Sequence, residues 1–271
     1  MSTNYETGTE DLVARLEGGV LTLTMNRPDR RNALSREMLA AMADCLARAE
    51  TDAEVRVIVL TGAGGAFCAG GDVKRMAAGG GEEVDIDTAI HRQRISQRAT
   101  SGMLYSMPKP TIAALPGAAA GAGFSLALAC DLRIAADTAF LTTAFARVGF
   151  SGDYGGTFFL TRLLGAAKAR ELYLLSDRVA ADEAARLGLV NFVVPADKLA
   201  AETDALAARL AAGPPIAYRY MKENLNRAVN GEMADCLDLE VTHHVHTGKT
   251  EDHRNAAQAF VEKRAPVFKG R

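Results

Sequence analysis

The chain contains no tryptophan, and only 6% of its 271 residues are aromatic. Any aromatic side chain in a functional site must therefore be tyrosine or phenylalanine. The four cysteines, Cys45, Cys68, Cys130 and Cys236, are far apart and form no C-x-x-C pair. This cysteine usage is typical of reduced thiols and predicts a cytoplasmic protein without a disulfide framework.

An excess of charge of one sign and long apolar runs are also missing. The formal net charge is −2, so no global field favours nucleic acid or an anionic membrane. No apolar run reaches the roughly 18 residues that a membrane span needs. The polar first residues, MSTNYETGTED, predict neither a signal peptide nor a transit peptide. We therefore expect a soluble protein that binds neither nucleic acid nor membrane.

The order of predicted strands and helices indicates an α/β fold whose sheet lies in the N-terminal two-thirds of the chain. Alternating apolar residues around Gly18-Gly19 predict a β-hairpin, and Ser35 is a favourable N-cap for the helix that follows it. Apolar runs predict further strands at 55–60, 111–115, 132–135 and 191–194. Helical patterns cover 90–105, 121–130, 156–164, 167–175, 180–187, 197–212, 215–229 and 232–246, and a surface loop is predicted at 77–88.

Residues 61–72, TGAGGAFCAGGD, follow the strand at 55–60 and include five glycines. A turn so rich in glycine lets a ligand approach backbone N–H groups closely, although an ordinary strand-to-helix turn is the alternative. A second glycine-flanked segment, residues 116–131, opens a helix, so the N–H of Ala122 is expected to be an unpaired donor at the positive end of a helix dipole. The N–H groups of Gly71 and Ala122 are together predicted to form an oxyanion hole.

A third segment, residues 140–157, places one carboxylate, Asp153, among glycine, serine, tyrosine and phenylalanine. Apolar surroundings raise a carboxyl pKa towards the working pH. Such a group can take a proton from one carbon of a substrate and return it to another. The alternative is structural, with Asp153 capping a helix predicted at 154–164.

Four segments of the chain resemble the crotonase (enoyl-CoA hydratase/isomerase) superfamily. They are MNRPDRRNALS (25–35), VIVLTGAGGAFCAGGDV (57–73), KPTIAALPGAAAGAGFSLALACDLRIA (109–135) and AFVEKRAPVFKG (259–270). The resemblance implies a ClpP-like spiral of ββα units, a helical C-terminal region that packs into a trimer or a dimer of trimers, and stabilisation of a thioester enolate. We accordingly divide the chain into a spiral core, residues 1–200, and a helical oligomerisation region, residues 201–271.

The resemblance also implies which residues contact coenzyme A, which enters as part of an acyl-CoA substrate and not as a permanent cofactor. Gly71 and Ala122 occupy the oxyanion-hole positions, with alanine where the family usually has glycine. The remaining coenzyme A contacts are implied for Arg30 and Arg31 near the phosphates, for Ala33, for Cys68, Ala69, Gly70, Asp72 and Val73 around the adenine and pantetheine, and for Phe260 and Lys263, which the family often supplies from a neighbouring subunit. No metal site is predicted.

The two glutamates that hold water in family hydratases are missing, because Ser125 stands at the first position and Ala144 or Phe145 at the second. The segment around Asp153 resembles enoyl-CoA isomerases of the phenylacetate-pathway type. We therefore predict an enoyl-CoA isomerase that shifts a double bond through Asp153. The alternatives are an enoyl-CoA hydratase of the fatty-acid β-oxidation type, with Asp153 and Tyr154 positioning water, and a non-catalytic or RNA-binding protein of this fold.

Three further patterns carry less weight. A dehalogenase of this superfamily needs a histidine where Arg98 stands, and also a tryptophan. The Y-x-x-x-K pattern from Tyr218 to Lys222 lies inside a late helix, and no G-x-G-x-x-G follows the first strand, so we interpret it as chance. The histidines at 243, 244 and 246 lack the i, i+4 spacing of a metal site and are predicted to lie on a solvated helix face.

Overall fold

The computed structural model describes residues 3–78 and 84–271. The strands are β1 (Thr3–Tyr5), β2 (Leu12–Glu17), β3 (Val20–Met25), β4 (Val57–Gly62), β5 (Thr111–Leu115), β6 (Ala119–Ala120), β7 (Leu132–Ala136), β8 (Phe140–Thr142), β9 (Val179–Ala180) and β10 (Phe192–Val194). The helices are α1 (Arg36–Thr51), α2 (Val73–Ala77), α3 (Ile86–Gln97), α4 (Met103–Ser106), α5 (Ala122–Ala129), α6 (Gly156–Leu175), α7 (Ala181–Arg186), α8 (Leu199–Ala211), α9 (Pro215–Ala228), α10 (Met233–Thr247) and α11 (Glu251–Val261).

A seven-stranded sheet runs in the order β1-β2-β3-β4-β5-β7-β10. The predicted hairpin is confirmed, because β2 and β3 pair antiparallel from Leu12 opposite Met25 to Glu17 opposite Val20. From β3 onward every neighbouring pair is parallel. All five residues of β5 are buried, as expected for a parallel strand that is covered on both faces.

Short strands form a second layer beside this sheet. β6 pairs with β8 in parallel, and β8 pairs with β9 antiparallel. Single bridges join Leu34 to Gly71 and Cys68 to Ala119, so the ladder continues past β6. The chain thus repeats one unit three times: a strand of the main sheet, a short segment of the second layer, and a helix. The units end in α2, α5 and α6, and this arrangement confirms the predicted ββα spiral.

Local signals determine several helix boundaries as predicted. Ser35 caps α1 by accepting a hydrogen bond from Met38 N–H at 3.1 Å. The separate helices predicted at 156–164 and 167–175 meet in α6 at Gly165, where φ is 75° and ψ is 165°. The predicted loop at 77–88 is partly wrong, because Asp85 caps α3 and helix begins at Ile86. Residues 79–83 of that prediction lie outside the described residues.

Helices α8 to α11 make up the C-terminal part of the chain. The predicted division after residue 200 falls within α8, which packs against β3, β4, β5 and β7 of the main sheet. That division stays a prediction. His243 is buried and not solvated, with Nδ1 2.6 Å from Asn224 Oδ1 and its ring stacked on Tyr220. None of the helices formed by residues 3–78 and 84–271 combines the length and apolar character that a membrane crossing needs.

Candidate active site

Gly71 and Ala122 occupy equivalent places in two successive units of the spiral. Each lies three residues after one member of the bridge between Cys68 and Ala119. The two segments approach so closely that a Cβ on Gly70 would lie 2.8 Å from Ala120 O and 3.3 Å from Ala122 N. Gly70 also has φ +85°, a backbone conformation that residues with side chains rarely adopt. Both the close approach and the backbone conformation therefore require glycine there.

A cavity of about 260 Å³ brings Gly71 and Ala122 together with Asp153. Ala122 is the first residue of α5, whose preceding Gly121 gives no side-chain cap. Across the residues that the structure describes, neither the Gly71 N–H nor the Ala122 N–H donates to a protein acceptor. Two free donors at the wall of one cavity provide what an anionic oxygen requires.

Asp153 lies in the loop before α6, between Gly152 with φ +112° and Gly155 with φ +80°. Its Oδ1 is buried and has no hydrogen-bond partner among the described residues. Burial raises the pKa of the Asp153 carboxyl group from 3.8 to about 6. The helix-cap alternative is wrong, because Gly155 is the N-cap of α6 and no side chain caps it. The Asp153 carboxyl group is therefore not committed to the helix.

Helix α3 holds the residue next to Asp153 in place. Tyr154 is buried, has the uncommon φ of 49°, and lines the same cavity. Its N–H donates to Gln97 Oε1 at 2.9 Å, and its hydroxyl lies 3.3 Å from Ser96 Oγ. Gln93, one turn earlier, lies near the Tyr154 hydroxyl and lines the cavity. These contacts hold the backbone at Tyr154 in place and thereby the position of the neighbouring Asp153.

Sequence reasoning missed Asn32, which joins the segment 25–35 to the glycine-rich turn. Its side chain is fully buried, and its Nδ2 donates to Ala63 O and Ala66 O, both at 2.8 Å. Its Oδ1 accepts from Arg27 N–H at 2.9 Å. Backbone bonds from Leu34 N–H to Gly70 O and from Ala69 N–H to Arg31 O complete the connection. The two segments thus form one rigid unit beneath Gly71.

Arg27 is a second residue that the sequence did not point to. Its guanidinium donates to Ala33 O at 2.6 Å and to Asp72 Oδ2 at 3.3 Å. Asp72 also accepts from Arg75 N–H at 3.1 Å as the N-cap of α2, and this hydrogen bond, with Arg27 nearby, lowers the pKa of its carboxyl group. Of the two carboxylates that line the cavity, Asp72 is therefore engaged structurally and Asp153 is available for chemistry.

The remaining predicted coenzyme A residues lie in three environments. Arg30 and Arg31 are exposed beside the glycine turn. Cys68 is buried, its Sγ donates to Asn32 O at 3.0 Å, and burial raises the pKa of its thiol to about 12. Phe260 is 85% exposed at the end of α11, and neither it nor the exposed Lys263 lines the cavity. Further contacts predicted from the resemblance lie around the turn, with Ala33 and Gly70 buried, Ala69 half-buried and Val73 exposed.

The positions where hydratases carry glutamates have other roles. Ser125 is buried in α5, and its Oγ donates back to Gly121 O at 3.4 Å. Ala144 has φ 56°, and the ring of Phe145 stacks on Tyr173 at 5.8 Å. Within the described residues, no group of three His, Cys, Asp or Glu side chains is arranged to hold a metal ion.

A larger cavity of about 640 Å³ lies away from these residues, bounded by Gly18, Gly19 and residues of α8 and α9. Two of its cations already have partners: Arg56 donates to Phe268 O and Gly213 O, and Lys109 donates to Ala49 O and Asp52 O. None of Gly71, Ala122 and Asp153 lines it. The larger cavity volume therefore does not identify the site, and the smaller cavity is the candidate active site.

Comparison with known proteins agrees with this geometry. Residues 15–271 match the family model described as enoyl-CoA hydratase/isomerase. The chain belongs to the enoyl-CoA hydratase/isomerase family. It is 38% identical over 263 residues to the 1,2-epoxyphenylacetyl-CoA isomerase of Escherichia coli (strain K12), covering 97% of this chain and 99% of that protein. It is 33% identical over 256 residues to the short-chain-enoyl-CoA hydratase of Clostridium acetobutylicum, covering 94% and 95%.

Solved structures of this family have the same fold. An enoyl-CoA hydratase from Polaromonas sp. JS666 superposes with a TM-score of 0.89 at 37% identity, over 95% of this chain and 99% of that one. An enoyl-CoA hydratase from Bacillus anthracis also gives 0.89, at 34% identity over 96% and 100%. The predicted membership in the crotonase superfamily is thus confirmed. The chain is an enzyme of this family, and the comparisons do not support the non-catalytic alternative.

Proposed function

We propose that this protein is an enoyl-CoA isomerase that moves a double bond of an acyl-CoA through a thioester enolate. The observation that carries the proposal is the single uncommitted carboxylate, Asp153, in one cavity with two unpaired N–H donors. A pKa of about 6 suits a carboxylate that must accept a proton and then release it near neutral pH.

The reaction follows from the geometry of the site. Ionised Asp153 removes a proton from the carbon next to the thioester carbonyl of a 3-enoyl-CoA. The electron pair of that C–H bond moves into the conjugated system, and negative charge collects on the thioester oxygen. The N–H groups of Gly71 and Ala122 stabilise that oxygen, and one such donor is typically worth about 2.7–4 kcal/mol. Asp153 then returns the proton to the far end of the dienolate, which leaves a 2-enoyl-CoA.

The test is the Asp153→Asn variant with a 3-enoyl-CoA substrate. Amide for carboxylate keeps size and shape but removes the proton carrier, so turnover should fall by about 10²–10⁴-fold. Binding of coenzyme A, measured by calorimetry, should remain. Asp177→Asn is the matched control, because Asp177 is an exposed carboxylate whose ion pair, among the described residues, is with Arg147. Activity of Asp153→Asn within a few-fold of the parent enzyme would overturn the proposal.

A hydratase is the second candidate, and one observation favours it. The polar side chains of Gln93 and Tyr154 line the cavity beside Asp153 and offer partners for a water molecule. Incubation with a trans-2-enoyl-CoA separates the two candidates. Robust formation of a 3-hydroxyacyl-CoA would favour hydration, whereas double-bond migration without it supports the isomerase.

We also propose that coenzyme A lies along the turn of Cys68–Val73, with Arg30 and Arg31 beside its phosphates. The exposed guanidinium groups suit phosphate by charge and by the geometry of their donors. Substitution of both arginines by glutamine should raise KM much more than it lowers kcat. A fall in kcat with KM unchanged would argue against this placement.

A trimer or a dimer of trimers is proposed from the C-terminal helices. Apolar residues on and next to α9 and α10 are exposed at four-residue spacing: Met221 and Leu225 on α9 with Val229 just after it, and Met233, Leu237, Val241 and Val245 on α10. Apolar stripes of this kind are usually covered in an assembly. Such an assembly would also bring Phe260 and Lys263 towards a neighbouring site. Light scattering should show a trimer or hexamer that Leu237→Glu dissociates.

The predicted cytoplasmic location is supported by all four cysteines being free.

A further inference from the structure

Tyr173, near the end of α6, places a buried hydroxyl beneath the loop that carries Asp153. A Cβ on Gly156 would lie 2.4 Å from Tyr173 Oη, and one on Gly152 would lie 3.3 Å from it. Glycines on either side of Asp153 thus leave the space that the phenol occupies. The Tyr173 ring is held from its other side by stacking on Phe145, at 5.8 Å and 14°.

A break in α6 is what brings Tyr173 to this place. In an unbroken helix, residues 156 and 173 would lie about 25 Å apart along the axis, because each residue advances 1.5 Å. At Gly165 the backbone leaves the helical region, with φ 75° and ψ 165°. The second half of α6 therefore turns back towards the first. The phenol of Tyr173 then meets the loop at the N-terminus of its own helix.

Two buried polar atoms in this region lack partners. Among the residues that the structure describes, Tyr173 Oη and Asp153 Oδ1 are both buried without a hydrogen bond. Buried polar groups without partners are uncommon and destabilising, so a pair of them close together calls for a shared explanation. One is a donor with a free proton, and the other is an acceptor whenever Asp153 is ionised.

We propose that Tyr173 is a positioning residue for the Asp153 carboxyl group. Its phenol donates a hydrogen bond to Asp153 Oδ1 when the carboxylate forms. The other carboxylate oxygen is thereby held towards the cavity and the substrate. This inference rests on the proposed role of Asp153 as the proton carrier.

The groups around Asp153 leave Tyr173 as the suitable donor on the buried side. The Ser125 hydroxyl already donates to Gly121 O, and the Cys68 thiol donates to Asn32 O. The Tyr154 hydroxyl is occupied by Ser96 of α3, with Gln93 nearby. Burial, with the Asp153 carboxylate nearby, raises the pKa of Tyr173, so its phenol keeps its proton at neutral pH. The charged side chains facing the cavity from the other elements are Arg36 of α1 and Asp72 and Arg75 at α2.

The test is the Tyr173→Phe variant, which removes one oxygen and keeps the ring that stacks on Phe145. A hydrogen bond to the ionised form lowers a carboxyl pKa, so its loss should raise the pKa of Asp153 by about one unit. The pH profile of kcat/KM should shift upward by the same amount. We expect kcat at neutral pH to fall about tenfold with KM nearly unchanged, because a pKa of about 7 roughly halves the ionised fraction and the carboxylate also loses its orientation. Carbon-13 NMR of the labelled carboxyl group measures the Asp153 pKa without requiring activity.

Tyr105→Phe is the matched control. Tyr105 also has a buried hydroxyl without a partner among the described residues, but it packs against Phe158 and Phe159 and does not line the cavity. Its substitution should leave the Asp153 pKa unchanged. Gly156→Ala is a second probe, because its methyl group would displace Tyr173 Oη, together with Ser125 Oγ at 2.5 Å, and should shift the pKa in the same direction.

The outcomes are distinct for the two proposals. An unchanged or lowered Asp153 pKa in Tyr173→Phe would overturn the positioning role, even if Asp153→Asn is inactive. Persistent activity of Asp153→Asn would overturn the proposed function, and the NMR titration would still decide whether Tyr173 contacts the carboxylate. An equal shift in Tyr105→Phe would also overturn the proposal, because it would show a general effect of removing a buried hydroxyl group.

Discussion

Replacing Asn32 should damage both stability and activity, although it lies outside the cavity. Asn32→Gly keeps the left-handed backbone, with φ 56° in the parent enzyme, and removes the whole side chain. Three hydrogen bonds are lost: from Arg27 N–H, and to Ala63 O and Ala66 O. Two of these pairs are partly buried, so each costs about 1 kcal/mol, whereas the buried Ala66 carbonyl left without a partner costs about 1–3 kcal/mol. The free energy of unfolding should therefore fall by about 3–5 kcal/mol.

Asn32→Ala separates the hydrogen bonds from the backbone conformation. Alanine loses the same three bonds and in addition must adopt a left-handed conformation, which costs roughly 1–2 kcal/mol more than in glycine. Urea unfolding followed by circular dichroism gives both values. The ratio kcat/KM should fall in both variants, because the turn that carries Gly71 loses its anchor. A loss below about 1 kcal/mol for Asn32→Gly, with unchanged kcat/KM, would refute the reasoning.

Other contacts of the site and core give measurable outcomes. Because burial raises the pKa of Asp153 to about 6, kcat/KM should rise with pH through that value, and a flat profile between about pH 5 and pH 8 would contradict a base role. The same raised pKa means that the unfolded chain releases this proton first, so the contribution of Asp153 to stability should fall as pH rises from about 4 to about 6; thermal melts of Asp153→Asn, compared with the parent over this pH range, should lack that contribution. Gly70→Ala should lower kcat at least tenfold, because its Cβ would lie 2.8 Å from Ala120 O; Gly18→Ala, with φ +58° and open space around it, is the control for strain alone. Lys222→Met should destabilise the fold by about 3 kcal/mol, because it leaves Asp131 without the ammonium group 2.8 Å away; equal stability of Lys222→Met and the parent in urea would show that the pair contributes nothing.

The parts of the fold that the sequence predicted are those with local signals. The hairpin, the buried strands and most helices carry their own periodicity, and Ser35 marks a helix start. The strands β6, β8 and β9 were not predicted, because two or three residues show no periodicity and become strands only by pairing with distant segments. Helix α11 was also not predicted, although Thr250 caps it by accepting from His253 N–H.

The same distinction between local and long-range signals applies to the residues of the candidate site. Gly71 and Ala122 were proposed because glycine-rich turns are visible in sequence, and Asp153 because it is an isolated acid among small and aromatic residues; the structure places all three at one cavity. Asn32, Arg27 and Gln97 were missed because their partners lie far along the chain. Lys222 shows that a motif can also match by chance. It is buried and donates to Asp131, Leu104 O and Lys109 O, a structural role unrelated to the Y-x-x-x-K pattern.

The short second layer relates the positions of the two N–H groups that are proposed to form an oxyanion hole. Gly71 lies three residues after Cys68, Ala122 three after Ala119, and Ala144 three after Leu141, so these residues occupy matching positions just beyond the paired segments. At the usual strand spacing of about 4.8 Å, two N–H groups can each lie about 2.9 Å from one oxygen and meet it at roughly 110°, near the spread of its lone pairs. The N–H group at the third position is not available to a ligand, because Ala144 N–H donates to Thr142 Oγ1 at 3.2 Å. The second layer thus relates the backbone positions of the two proposed donors, and side chains around them are free to vary the chemistry.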